Sequence, residues 1–313
     1  MLFAVLFAVS VFSCGFFGNS SPGLSGIPIV IAQEAKPSPA TQPAAATKEQ
    51  IERWIRELDA NVFAVREEAS SRLIAAGTPA VESIAAAIRQ GNPEVVVRGV
   101  HVLKEIAVTL DDDEDQSVRN ALQKIAQSSL RIAARRAEVA LQSIDEIRSE
   151  RAVEFLEKLG ARFGDSNLYS GSQIQGSLPT VEIGPEWNGT VRDLRRLRWL
   201  NEVRQVALVG DRVTDEWVRQ ATAMRHLASL VVKRAKVTND CLDGLKGLNE
   251  LRFVSLLYTP IDDGAATHLA TVPNLSSIRL YGTSFTPQGV DKLRETFSKE
   301  LTNIDFRQGG FLG

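Results

Sequence analysis

The chain has 313 residues, 44% of them hydrophobic but only 6% aromatic, and its 36 Lys and Arg against 38 Asp and Glu leave a formal charge of −2. That length can bury two or three cores, and the thin aromatic supply suits repetitive cores of Leu, Val, Ile and Ala. The mixed charge argues against a dedicated nucleic-acid binder, which would carry a strongly basic footprint, so no nucleic acid is expected as a partner. Two cysteines, Cys14 and Cys241, make no disulfide framework, and His101, His226 and His268 stand far apart without metal-ligand spacing, so neither metal nor cofactor is expected.

Residues 1–32 read as a signal peptide or membrane anchor. The apolar run from Leu2 to Phe17 is short for a membrane span and is followed by a Gly/Ser/Pro break from Gly18 to Gly23. Val30-Ile31-Ala32 offers small residues for cleavage before Gln33. Val11-Phe12-Ser13-Cys14-Gly15 resembles a lipoprotein-processing box, with Phe12 where a small residue is usual, and a retained anchor is the third reading. No Lys or Arg precedes the apolar core, yet all three readings lead to export: an extracytoplasmic protein, periplasmic, envelope-associated or secreted, touching membrane only through this segment. Residues 33–47, rich in Pro, Ala and Thr, form an expected disordered linker.

Residues 48–150 change to helical periodicity. Ile51, Trp54, Ile55 and Leu58 make one stripe; Phe63, Val65, Ala69, Leu73 and Ile74 make a second that stops at Gly77; Val81, Ile84, Ala85 and Ile88 make a third after Thr78-Pro79. Gly91-Asn92-Pro93-Glu94 repeats the turn device. Arg66, Arg98 and Arg136 align, each followed eight residues on by Ile74, Ile106 and Ile144, with offsets of 32 and 38 residues. The longer interval contains the acidic run Asp111-Asp112-Asp113-Glu114-Asp115, either a site for a cation or basic partner or a solvated connection; it lacks the pattern of a calcium hand. Val65-Arg66-Glu67-Glu68-Ala69 and Val97-Arg98 resemble the Val-Arg motif of HEAT-like helical repeats, a pattern that weakens at Ala134-Arg135-Arg136-Ala137. The resemblance implies stacked antiparallel helix pairs.

In residues 151–313, Val203, Leu227, Leu251 and Leu275 recur at intervals of 24, and companion positions recur with them. Val206, Leu230, Val254 and Ile278 follow three residues on, Leu208, Val232, Leu256 and Leu280 five on, and Val213, Val237, Ile261 and Phe285 ten on. Thr214-Asp215, Thr238-Asn239, Asp262-Asp263 and Thr286-Pro287 then supply residues suited to helix N-caps and first turns. Helical positions Val218, Leu242, Ala266 and Val290, and then Ala221, Leu245, Leu269 and Leu293, point inward. Leu251-Arg252-Phe253-Val254-Ser255-Leu256 and Leu227-Ala228-Ser229-Leu230-Val231-Val232 resemble the leucine-rich-repeat family, in its Thr-x-Ile-Thr-Asp variant. The resemblance implies an α/β repeat protein: an all-α HEAT-like solenoid, then a strand–helix solenoid with a parallel sheet. Imperfect copies flank the set: Leu178, Val181 and Ile183 with a helix through Val191, Leu194, Leu197 and Leu200, and at the other end Leu301, Ile304 and Phe306. A helix from Ala152 to Gly160 could finish the helical module or cap this one, the cap being the favoured reading, with Asp165 to Ser177 as a polar loop.

The family's usual recognition surface is the exposed concave sheet, which here would carry three columns of side chains. They are Gln205, Ser229, Phe253, Ser277 and Asn303; Ala207, Val231, Ser255, Arg279 and Asp305; and Val209, Lys233, Leu257, Tyr281 and Arg307. Phe253, Leu257 and Tyr281 are expected to form an apolar group flanked by Val209, Lys233, Arg279 and Arg307, a composition suited to a protein-binding hot spot. An ordinary solvent-facing or partly covered sheet is the alternative. Phosphate-loop, nucleophile-elbow, metal-binding His-pair and Cys/His signatures are absent from the sequence. The expectation is therefore a non-catalytic interaction or scaffold protein of the cell envelope or exterior, with an unidentified protein partner; a carbohydrate-binding module, using Tyr258, Tyr281 and the tryptophans, is the alternative. Trp187, Trp199 and Trp217 are otherwise expected to pack in the core or cap, and Cys241 to be a buried small hydrophobe.

Overall fold

The computed structural model describes residues 46–110, 116–166, 177–297 and 303–307. The leader, the linker up to residue 45, the acidic run Asp111–Asp115 and Leu301 lie outside the described residues. Helix α1 (Lys48–Glu57) opens in a capping box: Thr47 Oγ1 accepts from Gln50 N at 3.3 Å, and Gln50 Oε1 accepts from Thr47 N at 2.8 Å. Ala46 packs on the adjacent core. Ala46 and Thr47 therefore belong to the folded part, and the linker expected through residue 47 ends before them.

Helix α2 (Phe63–Ala76) stops at Gly77, whose φ of 65° is left-handed. Helix α3 (Val81–Arg89) follows a short turn through Pro79, and α4 (Pro93–Thr109) starts on Asn92, whose side-chain oxygen accepts from Glu94 N and Val95 N at 3.0 and 3.3 Å. After α5 (Gln116–Ala126) comes α6 (Arg131–Lys158). Helices α1, α3 and α5 pack in succession, as do α2, α4 and α6, so the six form two layers. Between them Leu73, Ile84, Ile88, Leu103, Ile106, Leu122 and Ile144 are buried, each contributing about 1.5–3 kcal/mol. Phe63 and Val65, expected in the α2 stripe, are instead 62% and 38% exposed. The Arg66 and Arg98 guanidiniums lie 5.6 and 5.8 Å from the Phe63 ring. These two aligned arginines also tie α2 to α4: Arg66 and Arg98 both reach Glu94, at 3.2 and 2.7 Å, and Arg98 reaches Glu67 at 2.7 Å.

The expected boundary after residue 150 falls inside α6, which runs unbroken for 28 residues. One buried stripe serves two cores: Ala133, Ala137, Ala140 and Ile144 face the helical core, while Ala152 and Leu156 face the core beneath the sheet. The segment from Ala152 thus does both things open to it: it ends the last helix of the helical layers and covers the core beneath the sheet. The join is polar as well. Arg119 meets Asp145 at 2.6 Å, Asn201 Nδ2 donates to Asp145 O at 3.2 Å, and Arg119 and Arg148 lie 5.5 and 4.4 Å from the Trp199 ring.

Seven strands follow: β1 (Arg162–Ser166), β2 (Leu178–Ile183), β3 (Gln205–Val209), β4 (Ser229–Lys233), β5 (Phe253–Leu257), β6 (Ser277–Tyr281) and β7 (Asn303–Arg307). Their order in the sheet is their order in the sequence; β1 is antiparallel to β2 and every later pair is parallel. Asp165 and Ser166, expected in a loop, belong to β1. The protein is therefore α/β, with a mostly parallel sheet. Register advances by 24 residues per strand from β3 to β6, so Val206, Leu230, Val254 and Ile278 stand side by side, as do Leu208, Val232, Leu256 and Leu280. All eight are at most 1% exposed.

Two of the expected helices are tighter 3-10 segments, Asp193–Trp199 and Asn239–Leu245; the other connections are α7 (Asp215–Ala221), α8 (Ala265–Leu269) and α9 (Pro287–Thr296). Neighbouring connections follow strands only about 4.8 Å apart, which favours the narrower coil. At Gly244 an added Cβ would collide with the Thr222 side chain.

The expected N-caps mostly act across units rather than within them. Thr214 and Thr238 make no side-chain bond to their own helices, whereas Thr286 accepts from Gly289 N at 3.0 Å. Thr238 N and Oγ1 both donate to Asp215 at 2.7 Å, Thr286 N and Oγ1 donate to Asp263 at 2.8 and 2.6 Å, and Asn239 Nδ2 donates to Asp262 at 2.6 Å. Asp215 and Asp263 thus hold the connection that follows, and Asp262 the one that precedes it.

Immediately after each central strand the chain turns left-handed, at Gly210 (φ 117°), Arg234 (53°), Tyr258 (55°) and Gly282 (60°). Each of the four N–H groups donates to the last carbonyl of the following strand, extending the ladder by one bond. Arg234 and Tyr258 bear a left-handed cost of about 1–2 kcal/mol that glycine does not.

Two outcomes test this account. Leu256→Asp puts an unpaired charge in the inward column and is expected to cost several kcal/mol, with loss of cooperative melting and of circular-dichroism signal; an unchanged melting curve refutes the register. Arg234→Gly removes strain from an exposed position at the expense of some unfolded-state entropy. It is expected to raise the melting temperature by about 2–4 °C, and a lower one would contradict the strain.

Candidate functional site

The sheet face opposite the inward columns carries the residues expected to bind a partner, and its accessibility changes across the sheet. Gln205, Ala207, Ser229 and Val231 are fully buried, Ser255 is 3% exposed and Leu257 is 7% exposed. Ala207, Val231 and Leu257 form a small apolar cluster of their own, with Val209 and Tyr281 packed against it. The uniformly exposed face expected from the alternation of strand side chains is therefore not found. Leu257, expected as a contact residue, is a packing residue. On β6 and β7, by contrast, Ser277, Arg279, Tyr281, Asn303 and Asp305 are half-buried and Arg307 is exposed.

Five of the seven expected residues form one row, because pairing sets Val209 beside Lys233, Lys233 beside Leu257, Leu257 beside Tyr281 and Tyr281 beside Arg307. Arg279 lies two residues before Tyr281 on the same face. Phe253 does not join the group: it starts β5, four residues before Leu257, which places it about 13 Å along the strand. The expected Phe253–Leu257–Tyr281 patch is thus divided between the two ends of the sheet face.

At the accessible end, Tyr281 is enclosed by charge. Its hydroxyl donates to Asp305, and the Arg307 and Arg279 guanidiniums lie 4.7 and 5.6 Å from its ring. Asp305 holds both arginines as well, with Arg279 Nε at 3.7 Å and Arg307 Nε at 4.0 Å. Sequence reasoning named Asp305 only as a column member and missed this central role; its 24-residue separation from Tyr281 and its place in the column of Arg279 were the available signal. Burial, then the hydrogen bond and charge of Asp305, push the Tyr281 phenol above the ordinary tyrosine range. The phenol is a neutral donor at physiological pH, and its two guanidinium neighbours suit contact with carboxylate or aromatic groups.

Other singled-out side chains take structural roles. Trp187 is fully buried and Trp217 is 5% exposed, their rings meeting edge-on at 6.4 Å, so neither presents a face to a sugar. Trp199 is half-buried beneath arginines. Burial pushes the Cys241 thiol up to about 12, which makes it inert as a nucleophile. His226 and His268 sit 2.8 Å from Glu250 and Asp243, and His101 sits 3.8 Å from Glu105. Among the described residues no three His, Cys, Asp or Glu side chains converge as metal ligands, and no helix is long and apolar enough to cross a membrane. No protein-family model matches the chain, and no curated protein matches its sequence.

The Tyr281 assignment is testable by ultraviolet titration. The difference between wild type and Tyr281→Phe should contain one phenol that ionises above the ordinary range, and Asp305→Asn should lower its midpoint. Because the folded value is the higher one, the stability from this contact is complete below the unfolded tyrosine pKa and is lost as pH rises through the folded value. A Tyr281 component titrating in the ordinary range would refute the enclosure by Asp305.

Proposed function

We propose that this chain is a non-catalytic binding or scaffold protein of leucine-rich-repeat type preceded by HEAT-like helical repeats, exported from the cytoplasm, that takes a protein partner on the β6–β7 end of its sheet face. The repeat reading is supported by the 24-residue register of four parallel strands, by the acid-to-threonine links between connections, and by the left-handed residue after each strand. Export is supported by the amino-terminal sequence alone.

The observation that carries the binding reading is the Arg279–Tyr281–Asp305–Arg307 cluster. Tyr281 is fixed by its hydrogen bond to Asp305, and an aromatic ring with arginine neighbours is the composition of an interface anchor.

A photo-crosslinking amino acid at position 307 should capture a defined envelope protein in the native cell, whereas one at position 89 on α3 should not. Arg307→Ala, which truncates an exposed side chain, should weaken retention of that protein while leaving the melting temperature unchanged. Retention at wild-type strength would remove this surface. Specific binding on a glycan array that is lost with the exposed Tyr258 would favour the carbohydrate reading instead.

A further inference from the structure

Helices α4 and α6 lie side by side and leave an open groove between them. Two cavities of about 910 and 330 Å³ share Arg135 and Arg136 and together run from Pro93 to Lys104 on α4 and from Arg131 to Ser143 on α6. At 1.5 Å per residue that is a length of about 17 Å. Both walls, residues 91–104 and 129–143, are described throughout. The groove is apolar where it meets solvent. Ile132, at 68%, is the most exposed large hydrophobic side chain among the described residues, and Val139 and Val97 line the same groove at 52% and 38%.

Its cations lack partners for a reason visible in the repeat. Arg136 occupies in the third unit the place that Arg66 and Arg98 hold in the first two. Arg98 is paired twice, by Glu94 four residues before it and by Glu67, which follows Arg66 in the preceding unit. The corresponding positions around Arg136 are Ile132 and Gly99, which carry no acceptor side chain. Among the described residues the Arg136 and Arg131 guanidiniums make no hydrogen bond or ion pair, whereas Arg135 is taken by Glu138 at 3.3 Å. No acid stands among the described lining residues. Helix α6 opens here on Leu130 without a side-chain cap and without an acid in its first turn, so its partial positive charge adds to that of the arginines.

We propose that the α4–α6 groove docks an amphipathic helical segment of a protein partner, whose apolar face covers Ile132, Val139 and Val97 and whose acidic edge pairs with Arg136 and Arg131. An extended segment would find no open ladder here, since the backbone groups of both walls are bonded within their own helices; a helix satisfies its own. A small oxyanion would leave Ile132 and the valines in water. A wholly apolar segment would cover the arginines without pairing them. A carboxylate on the edge of the helix gives Arg136 what Glu94 gives Arg98. This docking does not depend on the sheet-face reading.

The full chain would be titrated with a fluorescein-labelled helical peptide of about twelve residues built from Glu-Glu-Leu-Leu blocks, with binding read by anisotropy. Saturable binding, weakened by salt, is expected. A counterpart with Lys in place of Glu should not bind, and one with Ser in place of Leu should bind at least about tenfold more weakly. Ile132→Glu places a carboxylate four residues before Arg136, as Glu94 stands before Arg98, so the exposed substitution should keep the fold and weaken binding by about tenfold or more. Arg136→Gln should weaken binding likewise, and Arg219→Gln on α7 should change nothing. Absence of saturable binding, equal binding of the Lys peptide, or wild-type affinity in either groove variant would overturn the proposal. Self-association of the chain that Ile132→Glu removes would overturn it too, by giving the groove to a second copy.

Discussion

A five-residue strand with two or three apolar side chains on one face cannot bury them alone, and the carboxy-terminal half of this protein is organised by that constraint. Val206 is flanked by Val181 and Leu230, and Leu230 by Val206 and Val254. The unit of stability is the contact between neighbours. The strands lie in sequence order for the same reason, since each must lie beside the next to be buried at all. A single charge in one column opens both adjoining contacts.

Polar groups follow the same neighbour-to-neighbour logic. Asp215 and Asp263 serve the threonine of the following connection, and the left-handed residue after each strand passes its N–H to the strand beyond. Two of those residues are not glycine, so the chain accepts local strain at Arg234 and Tyr258 to keep the ladder continuous. The helical layers use arginines similarly, Arg98 bridging Glu67 and Glu94 across α2 and α4. Helix α6 then carries one buried stripe from the first core into the second, which makes the junction a covalently continuous helix rather than a linker.

At that junction Arg148 and Arg151 donate to carbonyls in the last turn of α4, and Arg119 and Arg148 lie over the Trp199 ring. The sheet face differs in kind: its β6–β7 end combines a tyrosine, a carboxylate and two arginines close together, while its β3–β4 end is closed, with Ala207 and Val231 buried beside Gln205 and Ser229.

Periodicity made the 24-residue columns and the stripe positions Leu73, Ile84 and Ile88 legible, because burial repeats at the period of the backbone, although Phe63 and Val65 of the α2 stripe lie exposed. Five of the seven expected surface residues fell in one row for the same reason. What the sequence could not decide was everything set by distance between segments remote in the chain. Alternation along a strand says which face a side chain takes, but not whether that face is open, so Leu257 was misread as a contact and Phe253 as its neighbour. Threonines suited to cap their own helices bonded to the adjacent unit instead, since which carboxylate lies nearer depends on how the connections stack. The groove beside α6 joins Val97 to Ile132 and Val139, far apart in the chain, and only the packing of α4 against α6 brings them to one place.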